Sequence, residues 1–293
     1  MRRKPYIFLL FTHKKPFETV ISRPTLNMIM HTMSKPVSET LLLDVNDMGI
    51  ARITINRPDK LNALNSSVLR DLDEAIHWVE NDSSVRAVLL TGSGDKAFVA
   101  GADIGEFSSL DRSSGEKLSK KGQDLLMRIE QSSRPWVAAV NGYALGGGAE
   151  LAMACHLRVG APNAVFGLPE VSLGLIPGYG GTQRLPYLIG RSRAMEMIMT
   201  GRQMKAEEAY HCGLLHVLSH DGALFETAEQ ILLKVLKNSP IAVRHAVQAI
   251  LHSGESDGYT REASLFGDLC QTDDFREGVE AFLQKRKPEF KGN

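Results

Sequence analysis

Short β-rich runs alternate with helical segments through the first two thirds of the chain, and this alternation restricts the fold more than any other feature of the sequence. Residues 41–45 and 51–56 are predicted to form a hairpin, because residues 46–49 are a turn-rich tetrapeptide between them. The apolar spacing of residues 68–79 predicts a helix, and the β-rich run 85–91 predicts the next strand. This strand, helix, strand order is typical of α/β proteins.

The alternation recurs and then gives way to helices. We predict a helix at residues 118–131, a strand at 136–141 and a short strand at 157–160. Beyond Arg191 strands nearly vanish from the pattern. The amphipathic segments of this last third are residues 194–200, 206–212, 224–237, 241–252 and 275–287. The sequence therefore predicts an α/β core followed by a helical region, without a fixed-period repeat or a long linker.

Composition narrows the class of protein. The 293 residues are 43% hydrophobic and 23% charged, which is typical of a globular protein with a sizeable core. Their formal net charge of +0 provides no overall field for nucleic acid or an anionic membrane. Cys155, Cys212 and Cys270 are odd in number and widely spaced, so no disulfide framework is expected and a reducing compartment fits. Without HExxH or paired-cysteine spacing, we predict no metal site.

Residues 1–37 are basic and resemble a transit peptide, yet an upstream translation start or a disordered extension explains them better. Met28, Met30 and Met33 all precede the patterned region. We therefore predict an N-terminal extension at 1–37, a catalytic core at 38–195 and a helical region at 196–293. No apolar run approaches the roughly 20 residues that would cross a bilayer.

Four segments carry the candidate chemistry, and two of them are rich in glycine. The segments are residues 98–104, 141–150, 166–170 and 176–184. Glycines 146–148 lie between a predicted strand and a helix-like run, where exposed amides and the positive end of a helix dipole could face an anion. The spacing is not that of a phosphate-binding loop, and tight packing is an equally good explanation. A thioester enolate is a further candidate, since Ala102 and Gly147 leave room for a carbonyl to approach their amides.

Two glutamates occur in apolar surroundings. Glu150 begins the run Leu-Ala-Met-Ala, and Glu170 follows Pro169 in a similarly apolar stretch, so both are expected to have raised pKa values suited to proton transfer. The alternative is that Glu150 caps its helix and Glu170 pairs with an arginine such as Arg184. The two acids are twenty positions apart, and their spacing alone cannot bring them together.

Taken together, these motifs resemble the enoyl-CoA hydratase/isomerase, or crotonase, family from about residue 40 to 290. Each motif alone would be weak, and their joint order is specific. The motifs are Asn56-Arg57-Pro58, Asn62-Ala63-Leu64, Gly101-Ala102-Asp103, residues 146–150, Pro169-Glu170, residues 177–184 and residues 281–286.

The resemblance implies an α/β fold, a crotonase-like spiral of ββα units with two roughly perpendicular sheets and a C-terminal helical trimerisation region. Trimers of this family often pair into hexamers. It also implies that the amides of Ala102 and Gly147 form an oxyanion hole for a thioester, while Glu150 activates a water for attack at Cβ and Glu170 delivers a proton to Cα. The product of a trans-2-enoyl-CoA would be a 3-hydroxyacyl-CoA, in fatty-acid or branched amino-acid breakdown. CoA is then part of the substrate, and no separate cofactor is expected.

The same comparison implies which residues contact CoA. They are Lys60, Ala63, Leu64, Ala100, Asp103 and Ile104, with Phe282 and Lys285 closing over the nucleotide. A lysine near the CoA phosphates is physically sensible. The alternative is that Lys60 and Lys285 are solvated surface charges. The expected compartment is the cytoplasm in a bacterium or the mitochondrial matrix in a eukaryote.

Other activities within the family remain open. Isomerases commonly keep only the second acid, and dienoyl isomerases have an acidic residue where this chain has Gly178, so both acids favour hydration. Leu168 stands where straight-chain hydratases often have glutamine, which leaves branched substrates such as methylglutaconyl-CoA possible. A non-catalytic, RNA-associated protein of this fold is the least favoured alternative, because no basic-aromatic stripe is evident.

Overall fold

The computed structural model describes residues 33–108 and 110–293. The strands are β1 (Leu41–Val45), β2 (Ile50–Ile55), β3 (Ala87–Gly92), β4 (Ala97–Ala100), β5 (Trp136–Val140), β6 (Tyr143–Leu145), β7 (Leu157–Gly160), β8 (Val165–Gly167), β9 (Gln203–Lys205) and β10 (Val217–Leu218). The helices are α1 (Ser66–Asn81), α2 (Arg112–Glu130), α3 (Gly147–Ala154), α4 (Gly181–Ile189), α5 (Arg191–Thr200), α6 (Ala206–His211), α7 (Leu224–Val235), α8 (Pro240–Leu251), α9 (Gly258–Leu269) and α10 (Asp273–Leu283). Short 3₁₀ turns occur at Pro58–Lys60, Ile104–Phe107 and Glu170–Leu173.

The strands form two sheets. The larger has the order β1-β2-β3-β5-β7-β10 and is parallel apart from the β1–β2 hairpin. The smaller has the order β4-β6-β8-β9, with only the β8–β9 pair antiparallel. Every residue of β3 and β5 is buried, which explains their continuous apolar sequences, because a parallel strand covered on both faces has no solvent side.

Helix α3 lies in the main core and positions the second sheet. All eight of its residues are buried. A Cβ on Gly148 would lie 2.0 Å from the carbonyl oxygen of Val99 in β4, so this close approach of helix and strand requires glycine. The approach brings the N-terminus of α3 beside the end of β4, where the candidate site lies.

The predicted hairpin, the helix of α1 and the strand β7 are confirmed. The strands of the second sheet were not predicted individually, because β4, β6, β8 and β9 have only three or four residues and lie next to glycine or polar segments without a period of two. Helices α4 and α9 were also missed. Helix α4 contains Pro186, and proline is strongly disfavoured inside a helix, so the sequence did not indicate this helix.

The C-terminal helices leave apolar surface uncovered. Neither α8 nor α9 has a buried residue, and Ile250, Tyr259 and Phe266 are 68%, 91% and 70% exposed. Across the described part of the chain, no helix is long and apolar enough to span a bilayer. Residues 1–32, most of the predicted extension, lie outside the described residues, and the boundaries at 37 and 195 stay predictions.

Candidate active site

Glycine shapes the junction between β6 and α3. Gly146 has φ 50° and ψ −125°, and its amide donates to the carbonyl of Gly167 (2.8 Å). A Cβ at this position would lie 2.9 Å from Oε1 of Glu170, so glycine lets that carboxyl approach the loop. Gly147 is the first residue of α3, and its amide has no partner within the helix, as at any helix N-terminus. It is therefore available to an external acceptor.

A second amide is available at Ala102. Leu64 forms a parallel bridge with Ala102, in which Leu64 N donates to Gly101 O (2.9 Å) and Asp103 N donates to Leu64 O (2.7 Å). The Ala102 amide donates to no residue among those that the structure describes. Leu64 also approaches Gly147, since a Cβ there would lie 3.2 Å from Leu64 Cδ1. Leu64 thus lies next to both residues that have an available amide.

Glu150 is buried, and two backbone amides fix its carboxyl group. It is 1% exposed, and its Oε1 accepts hydrogen bonds from the amides of Tyr179 (2.8 Å) and Gly181 (2.7 Å). Burial raises the pKa of Glu150, while these two amides and the positive charge of Arg184 oppose the rise. Its carboxylate form is therefore supported by preorganised donors despite being inside the protein.

Glu170 has a contrasting environment. It starts the turn Glu170–Leu173 after Pro169, and its Oε2 is buried with no hydrogen-bond partner among the described residues. Burial raises the pKa of Glu170 to about 7; its own backbone amide opposes the rise, and the negative charge of Glu150 adds to it. The proton shared by such a pair is expected to reside on Glu170, because Glu150 has the amide donors.

The alternative roles of these acids, a helix cap for Glu150 and an ion pair with Arg184 for Glu170, are wrong. Arg184 pairs with Glu130 (2.8 Å) and donates to the Tyr179 carbonyl (2.9 Å), so it is not the partner of Glu170. Glu150 accepts amides from the 176–184 loop rather than from the start of its own helix. The tertiary structure brings both acids and both candidate amides to one cavity of about 1470 Å³, lined by Ala102, Gly147, Glu150 and Glu170 among others.

The predicted CoA contacts separate into three groups. Ala100 and Ile104 line the cavity, and Leu64 is buried beside it. Ala63 and Asp103 form the second group, because both contact Arg57. Arg57 was not predicted as a site residue; it donates to the Ala63 carbonyl (2.6 Å) and pairs with Asp103 (3.6 Å). The third group is exposed and does not line the cavity of this chain: Lys60 in the turn Pro58–Lys60, Phe282 at the end of α10 and Lys285 just after it.

Tyr179 is a second site residue that the sequence analysis did not predict. Its ring lines the cavity and is 7% exposed, while its neighbours along the chain are glycines. An aromatic residue within the Pro-Gly-Tyr-Gly-Gly segment was the available signal, because glycines on both sides allow a bulky ring to enter a crowded site. Within the described residues, no group of three or more histidine, cysteine or acidic side chains is placed to hold a metal ion.

Two sheets, a helix N-terminus with an available amide, and one buried and one partly buried acid at one cavity define the class of protein. The profile of the enoyl-CoA hydratase/isomerase family matches residues 46–293, and the chain belongs to this family. It is 45% identical over 243 residues to a short-chain-enoyl-CoA hydratase of Clostridium acetobutylicum, covering 82% of this chain and 93% of that protein. It is 40% identical over 255 residues to a crotonyl-CoA hydratase of Syntrophomonas wolfei, covering 86% of this chain and 98% of that protein.

Solved structures agree with this assignment. A crystal structure of an enoyl-CoA hydratase from Bacillus anthracis superposes with a TM-score of 0.82 and 38% sequence identity, covering 87% of this chain and all of that one. A second structure, an enoyl-CoA hydratase subunit from Geobacillus kaustophilus, has a TM-score of 0.82 at 37% identity, covering 87% of this chain and 99% of the other. The chain therefore has the crotonase-like α/β fold that the resemblance implied.

Proposed function

We propose that this protein is an enoyl-CoA hydratase, a hydro-lyase that adds water to a trans-2-enoyl-CoA and gives a 3-hydroxyacyl-CoA. The observation that carries the proposal is the contrast between two acids at one cavity. Glu150 accepts two backbone amides, whereas Glu170 Oε2 has no partner among the described residues. Hydration of an alkene needs both a base for the water and an acid for the neighbouring carbon, and this pair can supply both.

The amides of Ala102 and Gly147 are proposed to receive the thioester oxygen. As water attacks Cβ, negative charge moves onto this oxygen and an enolate forms. Donors that are already in place stabilise the enolate more than the neutral thioester, and that difference lowers the barrier. The positive end of the α3 dipole adds to the effect, because Gly147 is its first residue.

The proton transfers follow from the two environments. Charged Glu150 accepts a proton from water as the oxygen bonds to Cβ, and protonated Glu170 donates its proton to Cα. One O–H bond of water, the O–H bond of Glu170 and the π bond of the alkene break, while a C–O bond, a C–H bond and an O–H bond on Glu150 form. A proton then returns from Glu150 to Glu170, which restores the starting state. The CoA thioester is the substrate in this proposal, and no separate cofactor takes part.

The exposed C-terminal helices support a homotrimer or homohexamer. Ile250 on α8 and Tyr259 and Phe266 on α9 are exposed apolar side chains, and a second copy of the chain is proposed to cover them. Light scattering on the purified protein tests this proposal, and Phe266→Glu should lower the molar mass towards that of one chain. Unchanged mass in the variant would place the interface elsewhere. We also propose CoA contacts at Lys60, Ala63, Leu64, Ala100, Asp103, Ile104, Phe282 and Lys285.

The direct experiment follows the loss of enoyl-thioester absorbance when enzyme is added to crotonyl-CoA. Methylglutaconyl-CoA and a 3-enoyl-CoA belong in the same panel, to detect a branched-chain hydratase or an isomerase. Rapid loss with crotonyl-CoA supports hydration. Absence of hydration with every conjugated substrate, together with turnover of the 3-enoyl-CoA, would replace the proposal by an isomerase.

A further inference from the structure

The ring of Tyr179 spans the gap between α2 and α3. A Cβ on Gly122 of α2 would lie 2.1 and 2.3 Å from Cδ1 and Cε1 of the ring. A Cβ on Gly147 of α3 would lie 3.5 Å from Cδ2 and Cε2, the opposite edge. One edge of the ring therefore rests against α2 at Gly122, and the other faces Gly147, the residue whose amide is proposed to bind the thioester oxygen.

The backbone that carries the ring is fixed at three points. Its amide donates to Glu150, and its carbonyl accepts from Arg184. The preceding carbonyl, that of Gly178, accepts from Ser119 (2.6 Å) and Gln123 (3.1 Å) of α2. Gly122 lies between these two anchors, so the same turn of α2 holds the loop and receives the ring.

Both helices contribute to the lining of the cavity that contains the ring. On α2 the lining includes Gln123 and Met127, and on α3 it includes Glu150 and Met153. Leu188 and the α8 residue Val247 line the same space. The aliphatic side chains of this lining suit a hydrocarbon chain, and the Tyr179 ring lies in the same cavity beside Gly147.

We propose that Tyr179 is a specificity-determining residue whose ring limits the length of the acyl chain, so that the site accepts short-chain enoyl-CoA thioesters. This inference rests on the proposed hydratase function. The chain of a short substrate ends before the ring, whereas a longer chain must displace it against Gly122. The proximal volume, rather than the whole cavity, then sets the substrate class.

The side chain acts as a barrier and not as an acid or base. Burial raises the pKa of Tyr179 to about 12, and the charges of Glu150 and Glu106 add to the rise, so the hydroxyl remains neutral. Tyr179→Phe keeps the ring and the backbone amide, so it distinguishes the effect of the hydroxyl from the effect of the size of the ring. Tyr179→Ala and Tyr179→Leu remove bulk and keep the amide that contacts Glu150.

The test compares kcat/KM for crotonyl-CoA and trans-2-decenoyl-CoA. We expect the decenoyl-to-crotonyl ratio to rise at least about tenfold in Tyr179→Ala, since two further buried methylene groups contribute about that much. Tyr179→Leu should show a smaller rise, and Tyr179→Phe should keep the wild-type ratio. Met127→Ala, which removes another side chain from the cavity lining, should shift the ratio only when it is combined with Tyr179→Ala.

Calorimetric binding of butyryl-CoA and decanoyl-CoA provides a readout that needs no catalysis. The ratio of their Kd values should favour decanoyl-CoA by a similar factor in Tyr179→Ala. Unchanged ratios in both the Ala and Leu variants, or a shift in Met127→Ala alone, would overturn the inference. If wild-type protein hydrates none of the enoyl-CoA thioesters, the proposed function fails, and the Kd ratio still decides whether Tyr179 limits chain length.

Discussion

The backbone amide of Tyr179 donates a 2.8 Å hydrogen bond to Oε1 of Glu150. The residue whose ring lines the cavity thus also positions the proposed base with its main chain. Gly181 donates to the same oxygen, and a Cβ on Gly181 would lie 3.0 Å from Glu150 Oε1. The 176–184 loop therefore orients the carboxylate through its backbone, and its glycines let it come close enough to do so.

Replacement of either acid by its amide should reduce turnover strongly. For Glu150→Gln and Glu170→Gln we expect kcat to fall by roughly 10²–10⁴-fold, the usual contribution of a positioned acid or base. Binding of a saturated acyl-CoA should largely survive, because the side-chain amide oxygen introduced by Glu150→Gln can still accept the loop amides. Glu116→Gln, an exposed site on α2, is the matched control. Normal turnover in either variant would remove that acid from the mechanism.

The pH profile should reflect the raised pKa of Glu170. The proposed donor is protonated below about 7, so kcat/KM should decrease as pH rises through that value and should also decrease at low pH as Glu150 becomes protonated. The stability of the folded protein should also decrease as pH rises through this range. Glu170 binds its proton more tightly in the folded state than at its usual pKa of 4.5, so the free energy of unfolding should fall as pH rises from 4.5 to about 7.

Urea titrations across this range, compared with Glu170→Gln, measure the stability effect. The Gln variant should lose that component of the slope. An identical slope in both proteins would show that the pKa of Glu170 is not raised.

The amide of Gly147 can be removed without removing the helix. Proline is well tolerated at the first position of a helix, so Gly147→Pro eliminates the donor while keeping α3. Gly147→Ala keeps the donor and introduces a Cβ at the same place, 3.2 Å from Leu64 Cδ1. We expect kcat of the Pro variant to be about 10²–10³-fold below that of the Ala variant. Equal kcat values in the two folded proteins would refute the oxyanion assignment.

The contact between Gly122 and Tyr179 predicts a rescue. Gly122→Ala places a methyl 2.1 Å from the ring and should reduce the free energy of unfolding by about 1–3 kcal/mol through overpacking. In a Tyr179→Ala background the same methyl enters vacated space, and most of this cost should disappear. Urea denaturation of the four proteins gives the coupling energy. Additive effects would mean that the two residues do not compete for this volume.

Arg184 should influence the acidic side of the pH profile. Its positive charge lowers the pKa of Glu150, and its partner Glu130 lies on α2. Arg184→Met removes the charge, so the pKa of Glu150 should rise and the acidic limb of kcat/KM should move to higher pH. Arg202→Met, which breaks exposed ion pairs with Glu196 and Glu208, is a control of matched charge. An unmoved limb in Arg184→Met would show that this charge does not act on Glu150.

Local periodicity predicted the long elements well and the short ones poorly. Helix α1 has apolar residues at helical spacing and an Asn65 N-cap that accepts from Val68 N, so its sequence is sufficient to indicate it. Strand β8 has three residues, and its place beside β6 depends on backbone hydrogen bonds that no short pattern reveals. The family resemblance implied a second sheet even though its individual strands were not recognised.

Residue type and order along the chain were enough to predict the main elements, the family and four candidate site residues, Glu150, Glu170, Ala102 and Gly147. Three relationships became visible in the folded chain: the two acids share a cavity, Arg184 pairs with Glu130, and the Tyr179 ring spans from Gly122 to Gly147. These relationships join residues that are distant in sequence. They arise from the packing of α2, α3 and the 176–184 loop, and distances between separate elements are not encoded in the spacing of either one.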